Sequence, residues 1–441
     1  LALDYMDGDL FGDHLATFLH SLKPPTPMNK RSFLKYLAAF GIGGSVFPAA
    51  AKPFSLDQLD WNADDIWDQI RAGYRIKRDY INFENGYYCF LPEELLEKQI
   101  AHIREVNFQA SHYMRGVQFE NKAKSAAALA ALVGADAEEV VLTRNTTESL
   151  DLIISGYPWK PGDEAVFSNQ DYGSMQTMFE MASKRWGIKT VKIDIPMDPK
   201  NDEEVVEAYR KAITPKTKLM MVPHIVNITG HILPVRKIAD MAHSYGVEVM
   251  LDGAHAVGHF TFNLHELDCD YYGSSLHKWL SVPLGAGMLY VKKDKISKIQ
   301  PLLAPFDLNL KTIAYLNHIG THPAATDLTV IDSIEFQNRI GSKRKEERLR
   351  FIQKYWSDQV RNHPGIKVNT PEDPTRCCGI GNVWVEKYTP AEMGKILLDK
   401  YKIFTAPIDG SGVKGVRVSP NIYTTTAECD QLVKALKEMA S

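Results

Sequence analysis

The chain has 441 residues, 44% of them apolar and 24% charged, with a formal net charge of -3. That length accommodates one large and one smaller domain with cores of their own, in a globular rather than a fibrous or disordered composition. A slightly acidic balance supplies no general attraction to nucleic acid or to an anionic membrane, and five cysteines without a Cys-x-x-Cys pair argue against a disulfide scaffold or a structural zinc site.

Residues 1–27 begin without methionine and end in Lys23-Pro24-Pro25-Thr26-Pro27. They are expected to be a non-native or untranslated leader with no structural role, with Met28 as the natural start. Lys30-Arg31-Ser32-Phe33-Leu34-Lys35 then leads into an apolar run from Tyr36 to Phe47 and the small residues Pro48-Ala49-Ala50-Ala51. Residues 28–51 therefore resemble a twin-arginine export signal with lysine in the first position. This implies export of a folded protein to the periplasm; the alternative is an attached amphipathic helix on a cytoplasmic protein. The run is shorter than the roughly twenty apolar residues of a membrane span, so no stable insertion is expected.

From residue 62 to 330, strand and helix patterns alternate. Strands are expected at 139–143, 164–168, 190–195, 218–222, 247–251 and 285–291, with helical spacing between them, as at 235–244. Such alternation predicts a mainly parallel sheet covered by helices on both faces, in a large domain. From 331 to 441 the texture changes to a smaller α+β domain. A long polar helix is expected over 331–362 and strands at 381–386 and 416–419. Two helices open on Thr389-Pro390-Ala391-Glu392 and Thr425-Thr426-Ala427-Glu428, both with capping-box spacing. The basic run Lys343-Arg344-Lys345, followed by Glu346-Glu347, reads as a solvated helix face, and Cys377-Cys378 as packing.

Lys278 closes Ser275-Leu276-His277-Lys278, twenty-six residues after Asp252, which ends an apolar run. A lysine that can form a Schiff base and a carboxylate that can hold a pyridine nitrogen protonated are what pyridoxal phosphate chemistry requires. Thr143-Arg144-Asn145-Thr146-Thr147-Glu148 follows a strand and opens a helix, a place suited to a phosphate dianion. The same segment reads equally well as plain N-capping by Thr146 or Thr147. Ser275 and His277 add a hydroxyl and an imidazole beside Lys278, and Gly320-Thr321 offers another hydroxyl or simply a turn.

Together these segments resemble fold-type I pyridoxal phosphate enzymes of aminotransferase class V, the group that includes cysteine desulfurases and isopenicillin N epimerase. The resemblance implies a large domain with a mainly parallel seven-stranded sheet flanked by helices, plus a smaller C-terminal α+β domain. Thr143 to Glu148 looks like T-R-G-T-T-E, with Asn145 in place of glycine, which assigns Thr146 and Thr147 to the cofactor phosphate. His224-Ile-Val-Asn227-Ile-Thr-Gly230 is similar to H-x-x-N-x-x-G and implies Asn227 near the ring hydroxyl. Asp252-Gly253-Ala254-His255-Ala256 resembles D-G-A-Q-A, with His255 replacing the glutamine that contacts the same ring oxygen. Ser275, His277 and Lys278 match S-x-H-K. Arg417-Val-Ser419-Pro-Asn-Ile-Tyr423-Thr resembles R-x-S-x-x-x-Y-N, which implies that Arg417 grips the substrate α-carboxylate with a planar bidentate fork.

By the same resemblance Tyr172 stacks on the ring, against the competing reading of a core tyrosine, and Asn85-Gly86 borders the substrate pocket. Thr321 would reach the phosphate of a neighbouring subunit, making a homodimer with a shared active site. No metal is implied. Asp252 is expected to stay ionised, and the freed Lys278 amine to remove the Cα proton of an amino-acid substrate. Residues 401–412 contain no cysteine where a desulfurase carries its nucleophile. The expectation is an amino-acid-directed pyridoxal phosphate enzyme, an aminotransferase. The alternatives are an epimerase, a lyase and a catalytically silent binding protein.

Overall fold

The structure, a computed structural model, describes residues 56–441 apart from 306 and 309–311, so the expected leader and export segments, 1–27 and 28–51, lie outside the described residues. After a two-residue strand, β1 (Ile81–Asn82), seven strands follow: β2 (Val140–Thr143), β3 (Glu164–Ser168), β4 (Lys189–Ile193), β5 (Thr217–Pro223), β6 (Glu248–Asp252), β7 (Tyr271–Ser275) and β8 (Gly287–Val291). They form one sheet in the order β2-β8-β7-β6-β5-β3-β4. The run from β7 to β4 is parallel, and β8 is antiparallel to both its neighbours, β2 and β7.

Successive side chains of each strand enter opposite cores, as a period of two requires. Met220, Val222, Val249, Leu251 and Tyr272 join one apolar cluster; Leu219, Met221, Met250 and Tyr271 join the cluster on the other face. Both faces are covered, so β3, β7 and β8 are buried along their whole length. Strand β4 has one open side, and its Lys189, Thr190 and Lys192 face solvent, charges that discourage pairing with another chain.

Strand β7 has no counterpart in the sequence-based expectation. Its Tyr-Tyr-Gly-Ser-Ser lacks the branched apolar run of its neighbours, and the reason lies in packing. A Cβ on Gly273 would stand 2.7 Å from Leu150 and 3.0 Å from Ser149, both on the helix Thr146–Gly156. The glycine lets that helix lie directly on the sheet.

The C-terminal part contains β9 (Ile366–Val368), β10 (Gly381–Val385), β11 (Ile403–Phe404), β12 (Ala406–Gly410) and β13 (Val413–Val418). Four of these make an antiparallel sheet in the order β12-β13-β10-β9, while β11 pairs in parallel with β1. Phe83, just after β1, is buried with Ile352, Trp356, Val383, Val416 and Leu436 in a third apolar cluster. The upstream segment 81–83 is thus built into the C-terminal elements. Thr389 and Thr425 close the two expected capping boxes.

Two expectations are corrected. The long helix over 331–362 is two helices, Ala325–Ile340 and Ser342–Ser357, separated by Gly341 at φ +91°, a conformation that favours glycine. Lys345, on the first turn after this break, is buried and not part of a solvated face. Its Nζ donates to Gln337 Oε1 at 2.9 Å and to the Trp279 carbonyl, and burial lowers its pKa to about 8. No helix among the described residues is long and apolar enough to cross a membrane.

Candidate active site

A cavity of about 330 Å³ opens at the carboxyl ends of β5, β6 and β7, where Pro223, Asp252 and Ser275 end their strands and line it. This is the side of an open α/β sheet on which ligands bind, because strand ends and helix N-termini converge there.

One end of the cavity is an anion cradle. Asn145, not Thr146 or Thr147, is the N-cap of the helix Thr146–Gly156: its side chain accepts the Glu148 N–H at 2.9 Å. Its backbone is extended (φ −173°, ψ 176°), which any residue adopts, so asparagine replaces glycine here without strain. Capping therefore does not occupy the threonine hydroxyls. Thr146 N–H donates to Ser275 Oγ at 3.0 Å, the Thr146 and Ser275 hydroxyls are 2.7 Å apart, and Thr147 also lines the cavity. Hydroxyls and helix N–H groups without carboxylates among them are the donor set a phosphate dianion requires.

Asp252 is buried, and burial raises its pKa, opposed by the Ala254 N–H that donates to Oδ1 at 2.9 Å and by the Lys278 charge. It makes no ion pair among the described residues. A buried carboxylate without a contacting cation fits a protonated ring nitrogen.

Lys278 sits between these groups. Burial lowers its pKa to about 8; Arg417 adds to that effect, and Asp252 and Glu84 oppose it. Its Nζ is 3.1 Å from His255 Nε2. Burial, reinforced by Lys278, holds His277 down at about 4, and burial keeps His255 well below its ordinary value, so both imidazoles are neutral. Tyr172 lines the cavity at 47% exposure, which disposes of the core-tyrosine reading. Its neighbour Asp171 is fully enclosed, and burial pushes its carboxyl up to about 8.

At the other end Arg417 is already engaged. Its Nε and one terminal nitrogen donate to the two oxygens of Glu84, and its other terminal nitrogen donates to the Asn227 carbonyl at 3.1 Å. Both side chains of the pair are more than nine-tenths buried. The unshared edge of the guanidinium is what remains for an incoming carboxylate.

The cavity thus gathers Lys278, Asp252, Thr146, Thr147, Tyr172, Asn227, His255, Ser275, His277 and Arg417. Two expected residues are elsewhere. Asn85 does not line the cavity: its Nδ2 donates to the Ser419 carbonyl at 2.9 Å and its Oδ1 accepts from the Tyr423 hydroxyl at 2.8 Å. Its polar capacity is spent fastening the N-terminal segment to the end of β13, and the adjoining Gly86 and Tyr87 take the position in the wall. Thr321 is exposed and outside this chain's cavity. Sequence reasoning missed Glu84 and Trp279. Each adjoins a residue that it singled out, and only a long-range partner reveals what either does.

The aminotransferase class-V family model matches residues 91–432. The chain is similar to the isopenicillin N epimerase of Streptomyces clavuligerus, 24% identical over 387 residues that cover 84% of this chain and 97% of that relative. It is also similar to the isopenicillin N epimerase of Amycolatopsis lactamdurans, 28% identical over 335 residues, 71% of this chain and 83% of that one. Among solved structures, the apo cysteine desulfurase from Thermococcus onnurineus NA1 matches with a TM-score of 0.75 at 22% identity, covering 85% of this chain and 98% of that chain. At that identity the likeness establishes the fold.

Proposed function

The chain belongs to the aminotransferase class-V family, and we propose that it is a pyridoxal phosphate enzyme acting at the Cα of an amino acid, with transamination as its overall reaction. The observation that carries this reading is the composition of the cavity wall: one amine, Lys278, one carboxylate, Asp252, and no thiol. All five cysteines are buried and none lines the cavity, which weighs against sulfur relay.

When bound, the cofactor supplies an electron-withdrawing ring that acidifies Cα. The chain's residues do the rest. Thr146, Thr147 and Ser275 would hold the phosphate, Asp252 would serve the ring nitrogen, Tyr172 one ring face, and Asn227 and His255 the ring oxygen. Arg417 orients the substrate carboxylate through its unshared edge. Lys278 would take the Cα proton and, as the single amine in the cavity wall, would deliver it on the same face to the cofactor carbon bonded to the amino nitrogen, so that one base serves both transfers. Export of the folded protein and a homodimer in which Thr321 reaches the partner's phosphate belong to the same proposal.

Epimerisation is the second reading, favoured by the two epimerase relatives and by Tyr87 and Tyr172, phenols in the cavity wall that could act as a second acid. The experiment is a screen of amino acids with the cofactor-loaded protein in D2O, reading the visible band, 2-oxo acid formation and product chirality. A 2-oxo acid formed while the remaining amino acid keeps its configuration supports the proposal. Deuterated, inverted amino acid without 2-oxo acid selects epimerisation, and sulfide release would overturn both. A band indifferent to every amino acid would mark a silent binding protein.

A further inference from the structure

His255 stands in the position where the family motif has a glutamine, and an imidazole can present either a donor or an acceptor at Nε2. Which one it presents depends on its other nitrogen. Trp279 Nε1–H donates to His255 Nδ1 at 3.3 Å. An indole N–H can only donate, so Nδ1 carries no proton and a neutral His255 must carry its proton on Nε2, the atom 3.1 Å from Lys278 Nζ.

The indole has no room to withdraw. Trp279 is fully buried and lies flat on His259, with ring centroids 3.7 Å apart at 7°. His259 is itself fixed: the Gly379 N–H donates to its Nε2 at 2.7 Å, leaving Nδ1–H to donate to the His255 carbonyl, also at 2.7 Å. A Cβ on Gly379 would stand 2.9 Å from His259 Nε2 and 3.0 Å from the Trp279 ring, so the back of the stack is closed. Lys345, buried behind the loop, donates to the Trp279 carbonyl.

We propose that Trp279 is a positioning residue that locks His255 in its Nε2–H tautomer, so that His255 acts only as a donor, toward the Lys278 amine in the cofactor-free protein and toward an anionic oxygen of the cofactor ring in the loaded one. An ammonium at Lys278 would need an acceptor at Nε2, which the lock withholds; a free amine accepts from it. The charged and titratable groups facing the pair agree with this. Lys278, Arg417, His259 and His277 all disfavour a cationic His255, and burial outweighs Asp252 and Glu84 in lowering Lys278.

The role holds whatever happens to the substrate, and its test needs no turnover. In the cofactor-loaded, 15N-histidine-labelled protein, with the His255 signals assigned by their loss in His255→Gln, the nitrogen shifts should report a neutral Nε2–H ring across the neutral pH range. Trp279→Phe keeps a ring on His259 but removes the donor. It should bring in the Nδ1–H form and move the pH midpoint of the visible band by about one unit, the scale of one neutral hydrogen bond. Gly379→Ala, which presses on the same ring pair, should disturb the same signals if Trp279→Phe does not fold. An Nδ1–H ring in the wild-type protein would overturn the proposal, as would variants that leave tautomer and midpoint unchanged. A failed substrate screen would leave this measurement intact.

Discussion

At the end of the cavity lined by Thr146, Asp252, Ser275 and Lys278, each group leaves a strand end, the turn that follows one, or a helix N-terminus beside the one seven-stranded sheet. At the end lined by Arg417 and Gly86, the groups come from segments 333 residues apart, joined by the buried Glu84–Arg417 pair. The first end is assembled by short motifs that the sheet places automatically. The second exists only when the N-terminal segment is fastened to β13, and it depends on balanced charge in a dry place. The setting of Lys278 and Asp252 is thus a property of one sheet, whereas the setting of Arg417 is a property of the join between distant parts of the chain.

The comparison can be broken most directly at Lys278. Lys278→Ala should reduce turnover by about a thousandfold or more while thermal melting shows a folded protein, since a positioned base and covalent anchor are lost together. Retention of more than a tenth of wild-type turnover would remove Lys278 from the chemistry. Asp252→Ala should reduce turnover by roughly a hundredfold, the scale of losing one preorganised electrostatic partner, and should weaken cofactor retention measured by dialysis.

At the other end, Glu84→Gln should act mainly on stability. It leaves a buried guanidinium uncompensated, at a cost of about 3 kcal/mol in chemical denaturation. An added amino-acid substrate should then stabilise the variant more than the wild type, because its carboxylate takes over the missing charge. Equal stabilisation of both proteins would show that Glu84 and substrate do not share Arg417.

Milder still is a pH effect. Burial places the Lys278 amine at about 8, and the neutral amine is the form that attacks the cofactor aldehyde. Covalent uptake of pyridoxal phosphate by the cofactor-free protein should rise with pH, by about tenfold between pH 7 and 9, and then level off. Uptake still climbing steeply above pH 9 would point to an ordinary solvated lysine. The smallest effect is expected from Asn145→Ala, which removes the N-cap and should cost about 1 kcal/mol, whereas Asn145→Gly should cost only a few tenths. A larger loss of cofactor affinity than of stability in these variants would place Asn145 in the phosphate site itself.

Much of the large sheet is legible in the residues: β3 and the helix Val235–Ser244 stand at their expected limits. Strand β7 escapes because Gly273 and the serines after it lack the apolar run of its neighbours, and Gly273 is required by the helix packed on it, not by strand propensity. Strand β12 escapes as well, because Pro407, Asp409 and Gly410 in its five residues are all poor strand formers. Lys345 misleads for a related reason: charge alone reads as a solvated face, and only the break at Gly341 and the packing of the following helix bury it.

The sequence by itself determined that Lys278, Asp252, Thr146 and Ser275 stand together, because each lies in a contiguous motif at or just beyond a strand end or at a helix start, where local geometry suffices. Only the tertiary structure decided that Asn85 is a fastener, that Glu84 shares Arg417, and that Trp279 addresses His255. Burial and the direction of a hydrogen bond depend on which distant surfaces meet, and nothing in a short window of residues records that meeting.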